Sequence, residues 1–346
     1  MTKLASRRRF GDLRCRPSPG ANSAIRLQAN ALLVRTFADI PIMCSVPAVP
    51  PGFCKDGMVS ASEDGPRLLS RRSLLRAAGA CAGMAAGVGY YTWRIEPGWL
   101  EIVRRRLPIR GLPDGLVGRH LVHLSDLHVG PLVGDDYVRD VFGRISALKP
   151  DFVVITGDLM SWHRDVDDHL AAVYRDVPHG RLATVATLGN HDYGPGWNRP
   201  DVADRAVDVL RNCGIVVLRN EILDVEGLQV VGLDDLWAGR FAPEIALADL
   251  DIGRPAIALS HNPDSVDLPG WDRFEGWIFA GHTHGGQCKP PFLPPPILPV
   301  QNRRYTSGEF ALKGNRQLYI SRGVGHVMPV RFNVRPEATV FELEAA

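Results

Sequence analysis

Five short runs of metal-ligating residues follow one another in this chain: Asp126-Leu127-His128, Gly157-Asp158, Gly189-Asn190-His191-Asp192, Ser260-His261-Asn262 and Gly281-His282-Thr283-His284. Three oxygen donors (Asp126, Asp158, Asn190) and four imidazoles (His128, His261, His282, His284) make a mixed nitrogen and oxygen set. That set suits Mn, Fe, Zn or Co rather than Mg or Ca alone. A single ion rarely uses seven protein ligands, whereas two ions sharing a carboxylate use about four each. The residues therefore point to a two-metal centre with ions ~3.5–4 Å apart, an arrangement that hydrolyses phosphate esters.

The elements that carry these residues must bring them together. Leu121 to Leu124 and Phe152 to Thr156 are apolar runs of the kind that form buried parallel strands, so Asp126, His128 and Asp158 fall just past strand ends. Open α/β sheets place their active sites there. Tyr137, Val138, Val141, Phe142, Ile145 and Leu148 recur at helical spacing between the two strands, and Lys149-Pro150 ends that helix. Strand, helix, strand gives a right-handed crossover. Arg181 to Leu188 predicts the strand before Asn190, Val202 to Leu210 a helix, and Ile215 to Leu218, Glu221 to Val225 and Leu228 to Leu233 short strands. Ala256 to Ser260 and Trp277 to Ala280 predict buried strands leading to His261 and His282, and in extended backbone His282 and His284 share a face. Ile102 to Leu112 predicts an edge strand closed by Pro113-Asp114-Gly115, and the proline-dense stretch 289–299 a rim loop.

At these motifs the chain resembles the calcineurin-like metallophosphoesterase superfamily, over about Gly118 to Leu343. The resemblance implies an α/β fold, a four-layer α/β/β/α sandwich. It implies that Asp126, His128 and His284 hold one divalent ion and Asn190, His261 and His282 another, with Asp158 as the bridge. His191 is implied to bind neither ion, to face the phosphate and to help the leaving group depart. Many members carry an Asp three residues after the bridging one, but here that place is Ser161. Support for the catalytic His is thereby put in doubt, and Asp192 is an alternative source of it.

Asp126-Leu127-His128-Val129-Gly130, Gly281 to Gln287, Pro329 to Phe332 and Arg335-Pro336-Glu337 look most like the bacterial branch of twin-arginine-exported phosphodiesterases. That branch is similar to enzymes cleaving the pyrophosphate of UDP-2,3-diacylglucosamine in lipid A synthesis. The resemblance implies a phosphodiester or pyrophosphate substrate and two ions from among Mn, Fe and Zn. Export cuts against a UDP-linked precursor, which is expected on the cytoplasmic side, so a phospholipid-like diester at the outer membrane face stands beside it. Two rivals remain: a non-catalytic metal-binding scaffold, disfavoured by the complete ligand set with His191, and a nuclease. A formal net charge of +2 and the lack of a basic stripe beside the motifs argue against nucleic acid as partner.

The 346 residues divide into three parts. Residues 1–57, rich in Arg, Pro, Ala and Ser without periodicity, read as disordered or untranslated, with translation starting at Met58 or Met43. Residues 58–95 read as a twin-arginine signal or membrane anchor: Arg71-Arg72, then a Gly-rich, weakly apolar run ending at Tyr90-Tyr91. That run is near the ~17-residue lower limit for spanning a bilayer. Residues 96–346 are read as the catalytic domain, and the expected location is exported, membrane-associated or extracytoplasmic, with the cytoplasmic membrane face as the alternative. Of the six cysteines only Cys213 and Cys288 fall in that domain, which permits one disulfide and requires none. His120 and His123 read as structural, His163, His169 and His179 as solvated, and His326 as part of a glycine-rich turn. Trp162, Trp197, Trp237 and Trp271 are candidates to line a lipid or nucleoside groove.

Overall fold

The computed structural model describes residues 70–346. The expectations for residues 1–57, for starts at Met43 or Met58, and for residues 58–69 of the signal lie outside the described residues. The first half contains α1 (Arg71–Tyr90), β1 (Glu101–Ile109), β2 (His120–Leu124), α2 (Asp135–Ser146), β3 (Phe152–Thr156), α3 (Val166–Tyr174), β4 (Ala183–Thr187) and α4 (Pro200–Asn212). There follow β5 (Val216–Val217), β6 (Glu221–Val225), β7 (Leu228–Gly232), α5 (Pro243–Ala246), β8 (Ala256–Leu259) and β9 (Gly276–Ala280). The last strands are β10 (Gly308–Ala311), β11 (Arg316–Ile320) and β12 (Glu337–Ala345).

The strands form two six-stranded sheets, ordered β1-β12-β2-β3-β4-β5 and β10-β11-β9-β8-β7-β6. Pairing is parallel from β2 through β5 and from β7 through β9 to β11. Each central strand is apolar on both faces, and period-two alternation divides its side chains between two cores. Leu121, Phe152, Val154 and Val185 meet Val230, Ile257, Leu259, Trp277 and Phe279 between the sheets. Val122, Leu124, Val153 and Ile155 point the other way, onto Val138, Phe142, Leu170, Tyr174, Ala206 and Leu210 of α2, α3 and α4. Behind the second sheet, Val231, Ala258, Ile278 and Ile320 pack on Leu247, Leu250, Trp271 and Phe274. The result is an α/β/β/α sandwich whose second outer layer is mostly short turns and α5.

β1 lies at the edge of its sheet, as its alternating pattern predicts, and pairs in parallel with β12. Helix α3 departs from the sequence reading, which left His163 and His169 in a solvated stretch. Val166, Leu170 and Val173 supply its buried face, but three Asp and a His among residues 165–169 mask the helical period. Helix α1 is capped by Ser70, whose side chain accepts from the Ser73 amide at 3.1 Å, and it has no buried residue. No helix among the described residues is long and apolar enough to cross a membrane. Cys213 and Cys288 are free thiols, so the permitted disulfide is not formed.

Candidate metal centre

Each candidate ligand stands just past the carboxyl end of a strand. The first sheet brings Asp126 and His128 after β2, Asp158 after β3 and Asn190 after β4; the second brings His261 after β8 and His282 and His284 after β9. Five of these residues turn sharply to reach the centre: Asp126, His128, Asp158, His282 and His284 have φ between 49° and 69°. Non-glycine residues seldom occupy that left-handed region, and their clustering marks strain held at a functional site. This corrects the expectation that His282 and His284 share a face in extended backbone. β9 ends at Ala280, where the His282 amide bends inward to donate to both Asp126 oxygens at 3.0 and 3.1 Å. Gly281 makes this approach possible, because a Cβ there would overlap Ser125 Oγ and the Asp126 carboxylate.

The ligand atoms fall into two groups that share one oxygen. His128 Nε2 lies 3.1 Å from His284 Nε2, and His284 Nε2 lies 3.3 Å from Asp126 Oδ1. On the other side His261 Nε2 lies 3.2 Å from His282 Nδ1. Between them Asp158 Oδ2 is 3.5 Å from His128 Nε2 and 3.2 Å from His261 Nε2. The other Asp158 oxygen accepts from the His191 amide at 2.9 Å, which fixes the carboxylate plane. Donors bound to one ion at ~2.1 Å lie ~3.0–3.4 Å apart in octahedral or tetrahedral geometry, so the spacing fits two divalent ions. Asn190 Oδ1 fits as well: it is buried without a hydrogen-bond partner, a cost that a cation would remove.

Neighbouring groups choose which nitrogen faces the centre. His261 Nδ1 donates to the Thr156 carbonyl at 2.8 Å, which leaves Nε2 as the nitrogen turned to the centre. His128 Nδ1 is engaged in the same way by Ser161 Oγ at 3.1 Å. At His261 burial lowers the ring's pKa, but Asp158 beside it outweighs this and raises it well above the ordinary value, so an ion bound at Nε2 would displace a proton. Burial lowers the pKa of His128 and of His282 to about 3, which keeps both rings in the neutral, ligating form. Burial also raises Asp126, to about 7, with His261 opposing and Asp158 adding to the shift. Burial would raise Asp158 too, but His261, His191 and His128 around it hold its carboxyl well below the usual range.

His191 joins the group at its open side. It is partly exposed, its ring centroid is 4.9 Å from that of His128, and one of its ring nitrogens lies within 4.8 Å of the His128 and Asp158 ligand atoms. Asp192 does not support it. That carboxylate is fully buried and accepts from the Gly189 and Met160 amides at 2.8 and 3.1 Å, tying the loop after β4 to the loop after β3. Ser161, at the place where many members carry an Asp, faces His128 rather than His191.

The sequence places Arg331 in the Pro329 to Phe332 run without giving it a role. Its side chain is fully buried and donates to the carbonyls of Val334, Arg322 and Gly323 at 3.1, 3.0 and 3.2 Å, and also to that of Gly325. This pins the glycine-rich segment whose Val324 and Gly325 amides donate to the carbonyls of Ser125 and Asp126 at 2.9 and 2.7 Å. A buried cation holding carbonyls leaves no sequence pattern. His123 is structural, buried against Phe279 and bonded to Thr156 Oγ1 at 2.8 Å. His326 sits in its turn with Nε2 3.1 Å from the Leu132 carbonyl. His163 and His169 are not free in solvent: they form a chain, His163 to His169 at 3.1 Å and His169 to Asp135 at 2.7 Å. Of the four tryptophans, Trp271 is buried in the core, whereas Trp197 and Trp237 stand beside the site.

Residues 119–286 match the family model described as calcineurin-like phosphoesterase. Phosphodiesterase YaeI of Escherichia coli strain K12 is 33% identical over 285 residues, spanning 80% of this chain and 100% of its own. The metallophosphoesterase YkuE of Bacillus subtilis strain 168 is 32% identical over 292 residues, spanning 80% and 98%. UDP-2,3-diacylglucosamine pyrophosphatase LpxG of Chlamydia trachomatis is 27% identical over 311 residues, spanning 73% and 93%.

Proposed function

This chain is an enzyme of the calcineurin-like phosphoesterase family, and from that premise we propose that it hydrolyses a phosphodiester or pyrophosphate bond at the centre formed by Asp126, His128, Asp158, Asn190, His261, His282 and His284. The observation that carries this reading is the single Asp158 oxygen between two nitrogen-rich groups of ligand atoms. Asp126, His128 and His284 are assigned to one ion, Asn190, His261 and His282 to the other, and Asp158 to both. Mn, Fe and Zn all suit such donors. Two divalent ions bound there would supply positive charge opposite the phosphoryl oxygens and make water more acidic.

The chain's own groups account for the rest. The Asp158 carboxylate, fixed by the His191 amide, keeps the two ligand groups in register. The same short segment sets the His191 imidazole at the open side, where it can give a proton to the departing oxygen. Similarity to the phosphodiesterase YaeI supports a diester, and similarity to LpxG supports the pyrophosphate of a nucleotide-linked lipid such as UDP-2,3-diacylglucosamine.

Turnover of bis(p-nitrophenyl) phosphate against p-nitrophenyl phosphate tests the reading, using chelated protein resupplied with Mn, Fe or Zn. Diester hydrolysis restored by metal is the expected result. No turnover of either ester with any of the three ions would favour the non-catalytic scaffold.

Residues 58–95 are proposed as a twin-arginine export signal or membrane anchor and 96–346 as the catalytic domain, working outside the cytoplasm at the membrane. The exposure of Arg71 and Arg72 at the start of α1 supports this. Arg71→Lys with Arg72→Lys should leave folded protein in the cytoplasm, because an Arg pair read by geometry is poorly replaced by Lys. Finding that double variant at the outer membrane face would overturn the proposal.

A further inference from the structure

We propose that Trp197 and Trp237 form an aromatic platform that binds a flat ring carried by the ester substituent next to His191. The favoured substrates are then diesters or pyrophosphates bearing a nucleobase or aryl group. The platform rests on the hydrolytic reading of the site and adds a substrate class to it.

The two indoles come from different sheets. Trp197 follows β4 in the loop that carries His191, and Trp237 follows β7. They meet with ring centroids 5.0 Å apart and planes inclined by 30°. Each also touches a site imidazole: Trp197 lies 6.0 Å from His191, and Trp237 stands edge-on to His282 at 4.3 Å. The pair thus runs from the leaving-group side of the centre to one of the proposed metal groups.

Both supporting loops are held firmly. Trp197 has φ of 58°, an uncommon value for a bulky residue, and its amide donates to the Gly194 carbonyl at 3.1 Å. Trp237 sits in a turn closed by Asp235, whose Oδ1 accepts from the Ala238 amide at 2.7 Å. Tyr193 joins the two loops by donating to Asp234 Oδ1 at 2.6 Å, and Arg219 donates to Asp234 Oδ2 at 3.0 Å. A loop that spends strain and a buried hydrogen-bond network to present an indole 36% exposed does more than fill a core.

The geometry favours a ring over an acyl chain. The indoles rest on each other with centroids 5.0 Å apart, so no slot opens between them, and the ring surface left accessible is chiefly that of the partly exposed Trp197. Ring stacking uses such a face with little regard to which base is present. The partly exposed His191 ring beside Trp197 is a polar edge that suits the nitrogens and carbonyls of a base better than an alkyl chain.

Calorimetric binding to Mn-supplemented full-length protein tests the platform without requiring turnover. The probes are uridine 5′-monophosphate, ribose 5-phosphate and decyl phosphate. The first two differ only in the base, so their affinity ratio isolates the ring. Wild type should favour uridine 5′-monophosphate by roughly 5- to 150-fold, the range that base–aromatic stacking gives. Trp197→Ala and Trp237→Ala should bring the ratio toward one by lowering nucleotide affinity more than ribose 5-phosphate affinity, and Trp197→Phe should keep most of the ratio. If Trp237→Ala fails to fold, Trp237→Leu keeps apolar bulk without the ring plane and reads the same ratio. A wild-type ratio near one, a ratio unmoved by the substitutions, or tighter binding of decyl phosphate than of the nucleotide would overturn the proposal. A base-dependent ratio in a protein that hydrolyses no ester would instead leave the platform standing and remove the hydrolytic reading.

Discussion

The Ser161 hydroxyl stands 3.1 Å from Nδ1 of His128, on the opposite edge of the ring from the nitrogen that faces Asp158 and His284. A group three residues past the proposed bridging carboxylate therefore acts on an imidazole of the ligand set and not on His191. With the hydroxyl accepting, the proton sits on Nδ1 and Nε2 presents a lone pair to the centre.

Ser161→Ala should weaken metal binding by ~10–100-fold, the usual cost of losing such a partner, while turnover at saturating metal stays close to wild type. Competition with a graded series of chelators reads the affinity. An unchanged affinity would show that the hydroxyl does not orient His128.

Removing the shared oxygen should be worse than removing a ligand from one side. Asp158→Asn takes a negative charge from between two cations, so both sites should empty together, whereas His261→Ala should empty chiefly one. Metal content per chain, measured on purified proteins, separates the two cases. Two filled sites in Asp158→Asn would refute the bridging assignment.

Much of this centre was legible because its chemistry is local in sequence. Asp126, His128, Asp158, Asn190 and His261 each follow an apolar strand within a few residues, so strand pattern and ligand type together locate them. The orientation of the ligands was not legible. It depends on left-handed backbone at Asp126, His128, Asp158, His282 and His284, and on Gly281 fitting against Ser125, which are tertiary facts. The role of Arg331 and the strand β12 escaped for the same reason: their partners, the carbonyls of 322–325 and strands β1 and β2, are defined by the fold. Trp197 and Trp237 lie 40 residues apart and only the packing of the two sheets makes them a pair.

His191→Ala should separate chemistry from metal binding. The ring lies at the open side of the centre and is proposed to protonate the departing oxygen, so kcat on the diester should fall by ~10²–10⁴ with metal content near wild type. Loss of metal in that variant would make His191 a ligand, for which one of its ring nitrogens is close enough.

The metal-free protein should lose stability in mild acid, and His123 should be one identifiable cause. Its ring is buried between the sheets, bonded to Thr156 Oγ1 at 2.8 Å and packed edge-on against Phe279. Burial lowers its pKa from the ordinary value near 6.5 to about 3. The unfolded chain therefore takes up a proton that the folded one refuses. The stability this group contributes is present above pH ~6.5 and is lost progressively as pH falls toward the folded value. His123→Phe keeps an aromatic ring between the sheets and removes the titration. Its thermal midpoint in chelator should fall less between pH 7 and pH 5 than that of wild type, in which His128 and His282 titrate equally and cancel from the comparison. Equal or steeper loss in the variant would show that His123 takes no part in acid destabilisation.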